Sequence, residues 1–82
     1  MSWELEWGPL ADTDVRRIHP EPARRLCAAV MRFAKTRRGP VTRLSPHDPR
    51  LLELVVPGAV AYLFLDVDAG VVRVQRMFRR SR

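Results

Sequence analysis

The sequence predicts an α+β fold, β-α-α-β-β-β in order, in which one helical hairpin packs on a twisted antiparallel sheet. Three observations carry that expectation. A stretch of strict alternation, "WELEW", opens the chain; two helical patterns parted by Pro20 follow; three apolar runs joined by tight-turn residues close it.

In "WELEW", Trp3, Leu5 and Trp7 share one face and Glu4 and Glu6 the other, which is the signature of a half-buried strand. Gly8-Pro9 ends it, and proline suits a first helical position. Ala11, Val15 and Ile18 then recur at helical spacing between Leu10 and Ile18. Pro20 disfavours helical geometry at His19, so a second helix starts beyond it. With Pro22 near its beginning, that helix gathers Ala23, Leu26, Cys27, Val30, Phe33 and Ala34 into one apolar stripe. Arg24, Arg25, Arg32 and Lys35 lie off the stripe, and Gly39-Pro40 stops the helix.

"VTRLSPHDPR", with two prolines, reads as a polar loop. Leu51–Val56, Val60–Asp66 and Val71–Phe78 are apolar runs of strand length. Pro57-Gly58 turns between the first two, and "DVDAG" between the second and third. Connections this short predict an antiparallel meander. Alternation along the last run assigns Arg73, Gln75 and Arg79 to one face and Arg76 and Arg80 to the other.

Eighty-two residues fit a single domain over 1–82, with a core small enough that a partner chain adds to its stability. The lone cysteine, Cys27, excludes an internal disulfide and reads as a small buried hydrophobe. The opening residues carry acids and no apolar run, and no stretch is long enough to span a bilayer, so a soluble, cytoplasmic protein is expected. Two histidines and one cysteine at unrelated spacings suggest no metal site, and no glycine-rich phosphate loop points to a cofactor.

The net charge of +6 is unevenly placed. Residues 1–15 hold four acids and no base; residues 16–50 hold ten bases against Glu21 and Asp48; residues 71–82, ending at Arg82, hold five arginines and no acid. Fourteen of the fifteen bases are arginine, whose planar fork matches phosphate and carboxylate. Such a domain favours polyanions, either nucleic acid or an acidic protein segment.

The order of elements in a basic chain resembles the RelE/ParE superfamily of toxin–antitoxin toxins, and the local text agrees over essentially its whole length. "WELEWGPLADTDVRRI" is similar to that family's opening strand and first helix, and "EPARRLCAAVMRFAKTRRGPVTRL" to its long second helix and following loop. "LLELVVPGAVAYLFLD" resembles its central hairpin, and "GVVRVQRMFRRSR" the terminal strand that ends, in the HigB-like branch, in Phe followed by two bases. The resemblance implies a toxin neutralised by a cognate antitoxin. Its favoured activity is metal-independent, ribosome-dependent cleavage of mRNA; the alternatives are inhibition of DNA gyrase, as in ParE-type members, or a catalytically degenerate antitoxin-binding module. Three positions depart from the nuclease pattern: Ala61 and Val55 stand where arginine is common, and Arg76 where a histidine often precedes the terminal Phe.

Cleaving RNA through its own 2′-OH requires a proton acceptor, cations around the phosphorane and a proton source for the leaving oxygen. Arg79 and Arg80 match the family's terminal basic pair, Arg80 at the place of a catalytic arginine, and Arg76 joins them as an expected catalytic residue. Glu53, at the family's E-L position, is a candidate base. His47 is the other proton-transfer candidate, since histidine is the side chain suited to general acid–base work. Arg43, Arg50 and Arg73 complete the expected RNA-binding set, and Tyr62, within an apolar strand, ranks below the others. The same arginines also fit a solvated last strand, and His47 a surface loop. The implied partners are an antitoxin, whose acidic or amphipathic segment would dock on the basic second helix or last strand, and the ribosome with its message.

Overall fold

The computed structural model describes residues 3–80. Ser81 and Arg82, the end of the terminal basic run, lie outside the described residues. Strand β1 (Glu4–Trp7) leads into helix α1 (Pro9–Val15) and helix α2 (Pro20–Thr36). Four strands follow: β2 (Val41–Ser45), β3 (Asp48–Val56), β4 (Ala59–Asp66) and β5 (Val71–Arg79). They form one five-stranded sheet in the order β1-β5-β4-β3-β2. The α+β class holds, with two differences from expectation.

The stretch read as a polar loop contributes a strand, β2, and the first three residues of β3. Its prolines sit where no ladder N–H is missed. Pro46 lies in the turn, and Pro49 precedes Leu51, where pairing with β4 begins. The sheet is also mixed rather than wholly antiparallel, because β1 pairs parallel with β5, Glu4 with Val71 through Trp7 with Val74. A parallel pair needs a long crossover, and the helical hairpin supplies it.

The helices cover one face of the sheet. Ala11, Ile18, Ala23, Leu26, Val30, Phe33 and Ala34 meet Leu54, Ala59, Ala61, Leu63, Val72, Val74 and Met77 in one core. Helix α2 starts where Pro20 requires: His19 has extended ψ of 139° and caps the first turn by accepting from Glu21 N. It ends at Arg37, which takes the left-handed conformation (φ 60°) that usually falls to glycine. The Arg37 guanidinium lies 4.7 Å over the Trp3 ring, and that contact offsets part of the backbone strain. Trp3 thus packs in the structure rather than offering a stacking surface. Cys27 is half-buried on the α2 stripe, and burial pushes its thiol pKa up, away from the reactive thiolate.

Strand β1 is short and covers only the first half of the β5 edge. Beyond Val74, helix α1 lies along that edge instead, and Asp14 accepts the Met77 N–H at 3.0 Å. Buried polar groups without a partner are costly, so this carboxylate does the work of a missing strand. Strand β5 carries a bulge there: Tyr62 pairs with Arg76 but Leu63 with Val74, leaving Gln75 as the extra residue. The bulge overturns the alternation expected for the last strand. Arg73 and Arg76, assigned to opposite faces, share one.

Candidate nucleic-acid interface

The sheet face away from the helices is open. Register and alternation put three rows of side chains on it. Leu51, Phe64, Arg73 and Glu6 form the first, Thr42, Glu53, Tyr62 and Arg76 the second, and Val55, Val60 and Phe78 the third. Two of the three aromatic rings touch each other, and two carry a cation. Tyr62 and Phe78 meet edge-on with centroids 5.0 Å apart. The Arg50 and Arg73 guanidinium carbons lie 5.3 and 5.9 Å from the Phe64 centroid, and that of Arg76 lies 5.1 Å from the Phe78 centroid. Interleaved guanidinium and aromatic planes are the chemistry by which proteins stack unpaired bases and donate to phosphates.

Each of these three arginines is held by an acid of the same chain. Arg50 Nε donates to Asp48 at 3.0 Å, Arg73 Nε to Glu6 at 2.8 Å and Arg76 Nε to Asp14 at 2.8 Å. The first two pairs are solvated and add little stability. The third differs, because the Asp14 side chain is only 10% exposed and also accepts from Arg76 Nη2 at 3.2 Å and from Met77 N. The Arg76 guanidinium foremost, then the Met77 N–H, holds the Asp14 carboxyl below the usual carboxylate range, against the upward push of burial. Asp48 is likewise lowered, chiefly by the Arg50 guanidinium. In all three arginines Nε is occupied, and donors remain on the terminal nitrogens.

The structure brings some of the sequence-predicted residues together and separates others. Glu53 and Arg76 flank Tyr62 in one row. Arg50 and Arg73 flank Phe64. His47 sits in the β2–β3 turn, exposed, whereas Arg80 donates its backbone N–H to Gly58 O at the β3–β4 turn. Those turns are at opposite ends of the sheet, roughly 30 Å apart at ~3.3 Å per strand residue, too far to share one phosphate. Arg79 pairs with Ala59 and Arg43 with Leu52, both on the helix side, so neither belongs to the open face. Ala61 is fully buried beneath the helices, and an arginine there would enter the core. Val55 and Val60 are the positions from which a further cation would reach the open face.

Two residues of the open face, Phe64 and Phe78, carry no site signal in the sequence because they resemble core residues, and Tyr62, within an apolar run, ranks low there. Asp14 did carry a signal, since it falls at helical spacing with Ala11, Val15 and Ile18 and so puts a carboxylate on the buried face of α1. Among the described residues, no group of three or more His, Cys, Asp or Glu is placed to hold a metal ion, and no helix is long and apolar enough to cross a membrane.

No family model matches the chain, and no curated protein matches it in sequence. Among solved structures, a chain of the RelBE2 toxin–antitoxin complex from Mycobacterium tuberculosis superposes with a TM-score of 0.71 at 17% identity. The match covers 100% of this chain and 95% of that one. At this identity the likeness is one of fold.

Proposed function

We propose that this chain is the toxin of a toxin–antitoxin pair, of the RelE/ParE kind, and that it cleaves messenger RNA on the ribosome from its open sheet face. The observation that carries the reading is the row Glu53–Tyr62–Arg76, bordered by Phe64 and Phe78 and two further guanidinium groups. The shared fold with a chain of a toxin–antitoxin complex supports the first half of the proposal.

The row supplies the three requirements of 2′-OH attack. Glu53 accepts the 2′-hydroxyl proton as that oxygen bonds to phosphorus. Arg76, immobilised by Asp14, donates to the phosphorane oxygens from its free terminal N–H groups. Tyr62 returns a proton to the departing 5′-oxygen, leaving a 2′,3′-cyclic phosphate. Cation–aromatic pairs at Phe64 and Phe78 hold the flanking nucleotides. Purified protein added to translating ribosomes should cut message at A-site codons. Glu53→Gln and Tyr62→Phe should each reduce that cleavage by roughly 100-fold, with unchanged circular dichroism. Intact message at high wild-type dose would remove the assignment.

A second reading rests on Val55, Val60 and Phe78. This end of the open face is apolar, as a toxin that binds DNA gyrase without chemistry would need. Supercoiling by gyrase would then be inhibited by wild type and by Glu53→Gln alike. Either toxin implies an antitoxin. Arg24, Arg32 and Lys35 on the exposed side of α2 have no acidic partner among the described residues and suit an acidic segment of one.

A further inference from the structure

The last strand abandons its alternation at one residue, Gln75, which is also the chain's one glutamine; the sequence has no asparagine. The single side-chain amide of the protein therefore stands at a β-bulge, and bulges beside functional sites re-aim a side chain. Gln75 is exposed, and it lines a cleft of about 300 Å³ with Gly8, Pro9, Leu10, Arg73 and Arg76. That volume is at the lower end of ligand pockets.

The walls of the cleft combine two cations with an apolar surface. Arg73 and Arg76 border it, each held through Nε by a carboxylate, and most of each fork's five N–H donors stay available. Leu10, 57% exposed, supplies an apolar wall. Gly8 keeps the floor low, because a Cβ there would stand 3.0 Å from Val74 O. An amide presents one donor and one acceptor side by side, the pattern that pairs with N6 and N7 of adenine.

We infer that the cleft between α1 and β5 is a base-reading subsite for single-stranded RNA, in which Gln75 pairs with an adenine and Arg73 and Arg76 hold the adjoining phosphates. The inference rests on the RNA reading above and gives it a sequence preference. The test is fluorescence anisotropy of end-labelled hexanucleotides A6, C6 and U6 with the full chain. Wild type should bind A6 roughly tenfold tighter than U6. Gln75→Ala should bring A6 down to the level of U6, and Gln75→Glu should shift the preference to C6, because a carboxylate accepts from cytosine N4. Melting curves of both variants, expected to match wild type for so exposed a side chain, separate these effects from misfolding. Equal binding of all three oligonucleotides by wild type, or an adenine preference that survives Gln75→Ala, overturns the subsite and leaves the RNA reading standing. Failure of wild type to bind any of them also overturns the subsite, while intact message in the ribosome assay is what overturns the RNA reading.

Discussion

Asp14 ties more of this molecule together than any other charged residue. It is the one buried charged residue among those described, and its two oxygens take hydrogen bonds from Arg76 and from the Met77 backbone. Asp14→Ala leaves a buried N–H unpaired and frees Arg76, and should destabilise the fold by roughly 1–3 kcal/mol in urea titrations. The sign of the pH effect follows from the lowered carboxyl. Its stabilisation is fully present above the ordinary aspartate value of about 3.9 and is lost as pH falls through the lower folded value. Wild type should therefore lose stability below about pH 4 more steeply than Asp14→Asn, which keeps an acceptor but has no charge to titrate. Matching acid limbs for the two proteins would show that the ion pair adds nothing beyond its hydrogen bonds.

Strand β5 and the elements at its edge set what the open face contains. A regular strand would send Arg73 and Arg76 to opposite sides; the bulge at Gln75 puts both beside the aromatic row and opens the cleft against α1. Helix α1 is short, and its position follows from β1 ending at Trp7, which leaves the far half of β5 to be covered. The β3–β4 turn is more demanding than its Pro57-Gly58 text suggests. Gly58 has φ 89°, and a Cβ there would also come within 3.0 Å of the Pro22 Cβ in α2. Arg25 Nη2 donates to Pro57 O across the same junction. Gly58→Ala should cost about 1–2 kcal/mol and lower the melting temperature, with the hairpin register unchanged.

At the level of the whole molecule, formal charge overstates the cationic surface that the open face presents. Its three ring-flanking arginines are each neutralised by Asp48, Glu6 or Asp14, while Arg24, Arg32, Lys35 and Arg38 ride on or just beyond α2 on the other layer. RNA binding through the open face should consequently release few counterions. Affinity for a single-stranded oligonucleotide should fall with salt at a log–log slope of about −2, as for three phosphate contacts. A slope far steeper than that would place the nucleic acid on the basic side of α2 instead. The two layers thus present different surfaces, an aromatic one on the open sheet face and a basic one on the outer side of α2.

Local patterns sufficed for much of the architecture. Alternation in "WELEW", the stripe from Ala23 to Ala34 and the turn at Pro57-Gly58 each report a neighbour-to-neighbour property, and each corresponds to an observed element. The basic character of the chain is readable from composition, and Glu53, Arg73 and Arg76 could each be named as candidates, but regular alternation puts Arg73 and Arg76 on opposite faces and the structure puts them on one. Tertiary structure decided the rest. Pairing of β1 with β5, recruitment of Val41–Ser45 into the sheet, the bulge at Gln75, and the roughly 30 Å between His47 and Arg80 all depend on which strands are adjacent and in what register. Register is a relation between distant segments, and a one-residue slip reverses every face, so no local reading of β5 could say which way its arginines point.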